Sequence, residues 1–251
     1  MNLDDVLVFN FATEERTIAL SELCIKKLGF KNLVTIHSSD GFRSKFLTFC
    51  EMAAASDKRC FLRSDADRLL FDGTLDLVKA YESDPNLDCV EGYCFDFLMN
   101  RHRGATPHLF SRRAIEALND NPQLMPDSQK PESRFIEKIT KNKKSGWKII
   151  DAVTNLHDYE QKPSKVCNTI LNRIFRNHFQ NLYDINYLST LHPKYWEAVL
   201  KAMITSKEIN SKNTMDYLDF SYLDVGFPDI EETELESLYE KYRKTYNEKC
   251  H

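Results

Sequence analysis

Over roughly the first 160 residues, short β-branched and aromatic runs alternate with stretches whose apolar residues recur every three or four positions. "DVLVFN" (5–10), "NLVTIHSS" (32–39), "CFLRS" (60–64) and "DCVEGY" (88–93) follow the first pattern, which predicts strands. Ile18, Leu20, Leu23, Cys24, Ile25 and Leu28 follow the second. Thr13 is placed as its N-cap ahead of Glu14 and Glu15, and Gly29 as its end. "FRSKFLTFCEMAAAS" (42–56) predicts a helix with Phe46, Phe49, Cys50, Ala53 and Ala54 on one face. Thr74 is expected to cap a short helix and Ser111 to begin "SRRAIEAL". Residues 131–142 read as helical and "WKIIDAV" (147–153) as a strand ending four residues before His157.

Such strand–helix alternation predicts an α/β domain with an open, mostly parallel sheet, whose ligands gather beyond the carboxyl ends of the strands. From Pro163 onward the pattern is helical only, in "SKVCNTILNRIFRNHF", "PKYWEAVLKAMIT" and "EETELESLYEKYRKTY". A boundary is therefore placed near 160, dividing an α/β domain (1–160) from a C-terminal helical appendage (161–251).

Composition supports a packed core. Of 251 residues, 42% are hydrophobic and 12% aromatic, enough to argue against global disorder. The N-terminal "MNLDDVLVFNFATEER" has no basic region or long apolar run, so no signal peptide is expected. No apolar stretch approaches the roughly 20 residues that span a bilayer, and a cytoplasmic protein without a transmembrane segment is expected. The seven cysteines are scattered without C-x-x-C spacing and read as small apolar fillers in a reducing compartment. Net charge is −4 but unevenly spread. Residues 1–100 hold 11 basic against 17 acidic residues, 101–180 hold 15 against 8, and 181–251 hold 8 against 13. A basic middle suggests a face that meets phosphate, although "KITKNKK" also fits a solvated surface.

Residues 60–75, "CFLRSDADRLLFDGTL", hold two acidic signatures with different chemistry. "DGTL" is a fragment of an aspartate-based phosphatase motif, but Leu70 stands where that motif needs its nucleophilic Asp. "DAD" follows an apolar strand. Residues two apart in extended chain project to the same side, so Asp65 and Asp67 can converge on one cation. Two carboxylates about 4 Å apart repel by about 4 kcal/mol at an effective dielectric constant of about 20. A divalent metal relieves that repulsion and neutralises a diphosphate leaving group.

The order strand, helix, strand, helix, apolar strand, DAD resembles the nucleotide-binding half of the GT-A glycosyltransferases, whose sheet is Rossmann-like and whose metal motif is D-x-D. "GFRSKFLTFCEMAAASDKRCFLRSDAD" carries the likeness, with Arg43 and Lys45 leading the helix and Ala53–Ala55 closing it. "RHRGATPHLFSRRAIEAL" (101–118) and "PESRFIEKITKNKKSGWKII" resemble the segments that follow, so the resemblance spans roughly 5–160. It implies a nucleoside-diphosphate sugar, UDP-linked by preference, over strands one to three. Phe9, Asn10 and Phe11 would hold base and ribose, with Asp40, Arg43, Asp65 and Ala66 as further donor contacts. Asp65, Asp67 and His157 would bind Mn²⁺ or Mg²⁺, Asp158 being a substitute for His157; an imidazole favours Mn²⁺, since Mg²⁺ prefers oxygen. Glu132 would be the base of an inverting enzyme, with Asp127 as runner-up. Ser133 stands where many members carry Asp.

The resemblance implies a hydroxyl acceptor, with a glycan expected. Arg103, His108, Arg173 and Arg176 are acceptor-side candidates; Lys165, Arg173, Arg176 and His178 form a positive stripe beside Val166, Ile170, Ile174 and Phe175. His108 also fits a core histidine. Two alternatives stand beside this reading. One is glycosylation of hydroxylated bases in DNA, for which the basic middle would supply phosphate contacts. The other is an inactive α/β binding module.

Overall fold

The computed structural model describes residues 2–37, 42–121, 146–175, 185–209 and 218–250. It shows a seven-stranded α/β sheet flanked by helices, with a helical C-terminal region. The strands are β1 (Val6–Ala12), β2 (Leu33–His37), β3 (Cys60–Asp65), β4 (Arg68–Leu70), β5 (Cys89–Asp96), β6 (Arg101–Ser111) and β7 (Trp147–His157). The helices are α1 (Ile18–Lys27), α2 (Phe42–Ala55), α3 (Gly73–Ser83), α4 (Arg112–Asn119), α5 (Pro163–Phe175), α6 (Ile185–Leu191), α7 (Pro193–Glu208) and α8 (Leu235–Cys250).

The strand order is β2-β1-β3-β6-β5-β7-β4. Pairs β1–β2, β1–β3 and β5–β7 are parallel, whereas β3–β6, β5–β6 and β4–β7 are antiparallel, so the sheet is open and mixed. The antiparallel element enters because β6 turns straight back from β5. "RLLF" and "RHRGATPHLFS" were too weakly patterned for their full strands to be read. The order has a geometric consequence. In a flat sheet, β3 and β4 would lie four strand spacings apart, about 19 Å. Only Ala66 and Asp67 join them, and three Cα steps reach at most about 11 Å. The sheet must therefore curl until its interior strand β3 and its edge strand β4 meet at DAD.

Two apolar layers hold the sheet. On one side Phe9, Phe11, Phe46, Phe49, Phe61 and Phe110 form an aromatic cluster; the Phe9 and Phe49 rings meet edge-on at 4.8 Å. On the other, Val6, Val8, Ile25, Leu62, Leu77, Val90 and Leu109 are buried. Helices α5 and α7 make their own cluster around Val166, Ile170, Val199 and Ala202. Helix α8 instead places Tyr239, Tyr242 and Tyr246 against Leu20, Phe71, Phe95 and Leu156 of the α/β part. The last helix thus shares the core of the first 160 residues.

Several local expectations shift. The first helix starts at Ile18 with Thr17 as N-cap, while the Thr13 N–H bonds the Glu15 carboxylate at 2.6 Å in the preceding loop. Gly29 ends this helix at φ +92°. Ser111 caps α4 by accepting from the Ala114 N–H at 3.1 Å, as expected. Thr74 lies inside α3, and its hydroxyl donates to the Thr154 carbonyl at 2.8 Å. Strand β7 runs to His157, so this residue belongs to the sheet and not to a loop beyond it. The expected helix at 131–142 lies outside the described residues.

Candidate functional site

The curl brings together the ends of β3, β5 and β7. The segment after β3 is tied by its backbone. The Ala66 N–H donates to Phe11 O at 2.8 Å, Thr17 Oγ1 to Ala66 O at 2.7 Å, and the Asp158 N–H to Asp67 O at 3.1 Å. Strand register places His157 directly opposite Arg68 on one neighbour and Asp96 on the other. Asp158 follows in a left-handed conformation, φ 58°, which Asp adopts more readily than most residues.

Asp67, His157 and Asp158 each offer a ligand atom, and these atoms lie within 4.8 Å of one another. His157 Nε2 is 3.8 Å from Asp67 Oδ2. Asp67 Oδ1 is buried with no hydrogen-bond partner among the described residues, and Arg68 Nε approaches it only to 4.0 Å. Buried carboxylate oxygens are normally paired, so an orphan beside a second acid and an imidazole fits a group of cation ligands. Burial, and then the charge of Asp65, raise the Asp67 pKa. Burial, Asp67 and Asp96 raise Asp158 to about 7. Burial, with Arg68 and Arg103, holds His157 well below its usual range, so the ring is neutral, as a metal ligand must be.

Asp65, expected among the metal ligands, is engaged elsewhere. Arg63 Nη2 binds its Oδ1, and Arg68 Nε lies 3.4 Å from its Oδ2. Burial opposes its ionisation, but Arg63 and Arg68 outweigh this and lower its pKa. Both arginines are buried. Arg63 also donates to Thr106 Oγ1 at 3.0 Å and stacks over the Phe11 ring at 4.8 Å, while Arg68 donates to Thr106 O at 3.1 Å.

Asp96 was not anticipated, although it closes an apolar run as Asp65 does. It is fully buried; its Oδ2 receives Arg103 Nε at 2.7 Å and Arg173 Nη2 at 3.4 Å, and lies 3.1 Å from His157 Nδ1. Burial alone would raise its pKa, but His157, Arg173 and Arg103 outweigh it and keep the group ionised. Arg103 and Arg173, read from the sequence as acceptor-side residues, converge on this acidic cluster; Arg173 also reaches Asp158 at 3.3 Å.

A cleft of about 410 Å³ opens between the Thr13–Arg16 loop, the start of α5 and residues 218–224. Lys165 lines it and pairs with Glu15 at 3.3 Å. Burial disfavours its charge, yet Glu15, Asp67 and Asp158 raise its pKa. Lys45 closes the β1 end, donating to Ala12 O at 3.0 Å and Thr13 Oγ1 at 2.5 Å.

The remaining sequence candidates divide. Phe9 and Phe11 are enclosed in the aromatic core, because alternate positions of a strand buried on both faces have no solvent side. Asn10 is fully buried, and its Oδ1 accepts from Ser21 Oγ at 3.4 Å. Ala66 is buried and exposes no side chain to a ligand. Arg43 is exposed on the first turn of α2. His108 is buried and bonds Glu91 Oε2 at 2.9 Å, the core-histidine reading. Asp40, Asp127, Glu132, Arg176 and His178 lie outside the described residues. Among those described, no helix is long and apolar enough to cross a membrane.

No protein-family model and no curated protein matches the chain. Solved structures similar to it include a glycosyltransferase involved in glycosylation of the major capsid of PBCV-1, at 13% identity and TM-score 0.44 over 61% of this chain and 92% of that one. A 4-diphosphocytidyl-2C-methyl-D-erythritol synthase from Anaerococcus prevotii is 13% identical, with TM-score 0.43 over 59% and 90%. A putative glucose-1-phosphate thymidylyltransferase from Bacillus anthracis is 6% identical, with TM-score 0.41 over 84% and 99%. These likenesses concern the course of the chain and assign no residue a role.

Proposed function

We propose that the chain is a metal-dependent glycosyltransferase that takes a nucleoside-diphosphate sugar, a UDP-sugar by preference, and transfers the sugar to a hydroxyl of a glycan. The observation that carries this reading is the orphaned Asp67 Oδ1 beside His157 and Asp158, at the carboxyl ends of strands; Lys165, which lines a cleft of about 410 Å³, feels the charges of Asp67 and Asp158. Ligands of open α/β sheets gather at such strand ends.

Asp67, His157 and Asp158 would hold the cation. When bound, it supplies charge neutralisation for the departing diphosphate. One nitrogen among oxygens favours Mn²⁺ over Mg²⁺. Asp65 has a different part: gripped by Arg63 and Arg68, it is a fixed acceptor on the donor side, where it orients a ribose hydroxyl or a water. Lys165 adds a positive charge at the cleft wall. Glu132, or Asp127 in its place, would take the acceptor proton if the reaction inverts the anomeric centre.

The test is thermal stability with Mn²⁺ and a panel of UDP-, GDP- and CMP-sugars, since a bound donor stabilises the folded state by mass action. Sugar-nucleotide hydrolysis is followed alongside, with and without EDTA. One donor is expected to raise Tm only with Mn²⁺, and Asp67→Ala to abolish both effects. A protein that binds no donor, and whose Asp67→Ala variant answers metal as the wild type does, is not this enzyme. Activity that persists in EDTA would refute the metal dependence.

A further inference from the structure

Among the described residues, His157 Nδ1 has three polar neighbours in hydrogen-bond range. Arg103 Nη2 lies at 2.9 Å, Asp96 Oδ2 at 3.1 Å and Asp158 Oδ2 at 3.2 Å. Their demands are opposite. A guanidinium only donates, so Arg103 requires a lone pair on Nδ1 and therefore a proton on Nε2. A carboxylate only accepts, so Asp96 and Asp158 require Nδ1–H and leave the lone pair on Nε2. Nε2 is the nitrogen that faces Asp67. Only the second tautomer can ligate a cation there. The ring is neutral in both, so the choice is one of hydrogen bonding.

We propose that Asp96 is the positioning residue that sets His157 in the tautomer able to bind metal, by accepting Nδ1–H while drawing Arg103 onto the same oxygen. The inference rests on the metal-site reading above. Asp96 is built for this task. Its Oδ1 is fixed by the Met99 N–H at 3.1 Å, so the carboxylate cannot swing away. Its Oδ2 takes Arg103 Nε at 2.7 Å, the shortest of the three contacts to that oxygen, and this leaves Arg103 Nη2 a bystander to the ring. Strand pairing places Asp96 opposite His157, so the contact is a property of the sheet. Asp158 makes the longer contact, its Oδ2 lying 3.2 Å from Nδ1 and also taking Arg173 Nη2 at 3.3 Å.

The experiment reads the imidazole nitrogens directly. Two-bond ¹H–¹⁵N correlation spectra of the metal-free protein report the His157 tautomer, and Mn²⁺ binding is titrated separately by electron paramagnetic resonance. Wild type is expected to show Nδ1–H. Asp96→Asn leaves Arg103 as the stronger partner, so the ring moves to Nε2–H and Mn²⁺ affinity falls by about 10–100-fold. Adding Arg103→Gln to Asp96→Asn removes the competing donor. The ring then returns to Nδ1–H, and affinity recovers in part; a merely structural Asp96 would give a double variant weaker than either single one.

Nε2–H in wild type, or Nδ1–H retained in Asp96→Asn, overturns the proposal. Should Asp96→Asn not fold, Arg103→Gln alone decides: Nδ1–H with undiminished Mn²⁺ affinity supports it, and a switch to Nε2–H refutes it. A wild type that binds no Mn²⁺ yet shows the expected tautomers in all variants overturns the metal-site reading and upholds the Asp96–His157 relationship.

Discussion

His157 Nε2 lies 3.8 Å from Asp67 Oδ2, across the seam where the curled sheet brings the end of β3 against β7. The pair joins a nitrogen ligand to the second acid of DAD. Replacing His157 by Asn offers an oxygen where the imidazole was. The expected outcome is a loss of preference for Mn²⁺ over Mg²⁺. Competitive titration of the two ions against the wild type and the variant measures it; an unchanged ratio would show that His157 is not a ligand.

Arg68 separates the two acids of DAD, with Asp65 at 3.4 Å and Asp67 at 4.0 Å from its Nε. Its Nη1 also satisfies Thr106 O. Arg68→Met keeps an unbranched apolar stem but removes the buried guanidinium, leaving Asp65 with Arg63 alone and the half-buried Asp67 without its nearest arginine. A loss of about 3–5 kcal/mol is expected from the denaturation midpoint. Mn²⁺ should restore part of it, because a cation would then stand in for the missing guanidinium.

Asp158 gives the metal-free protein a pH signature. Its pKa is raised to about 7, mainly by burial and then by Asp67 and Asp96. In the unfolded chain it returns to about 3.9. Between those values the folded state binds the extra proton, so stability declines as pH rises from about 4 to about 7. This single group accounts for at most about 4 kcal/mol. Asp158→Asn should therefore be more stable than wild type at pH 8 without metal, with the advantage vanishing near pH 4. Urea melts at the two pH values give the answer, and equal differences at both would rule the assignment out.

Helix α8 is tested through one hydroxyl. Tyr246 Oη donates to Val153 O at 2.5 Å and accepts the Gly73 N–H at 3.2 Å. Tyr246→Phe takes that partner from the buried Gly73 N–H and the half-buried Val153 carbonyl, and a loss of about 1–3 kcal/mol is expected. Gly73 has no room for a side chain: a Cβ there would collide with the Val153 carbonyl and meet Tyr246 Oη at 2.8 Å. Gly73→Ala should cost about 3 kcal/mol. If both variants melt like wild type, the last helix is not part of the α/β core.

Much of the architecture could be read from local pattern. The apolar runs of β1, β3 and β5, the Ser111 cap and the Gly29 stop are set by residues next to one another in the chain, and they appear where expected. DAD was visible for the same reason: two carboxylates two apart after a buried strand are a local arrangement. His157 could be singled out near the end of an apolar strand, though not as part of it.

Partnership was not local. Which of the two acids stays free depends on Arg63 and Arg68, whose guanidinium groups take Asp65 and leave Asp67 Oδ1 orphaned. Asp96 and Arg103 have no motif, and only strand register sets them against His157. The amino-acid order alone therefore specified the strands, the helices and the acidic motif, since periodicity and capping act over a few residues. The tertiary structure decided which groups meet. A two-residue link between strands four positions apart forces the sheet to curl, and that closure carries Asp67 to His157 and Asp158.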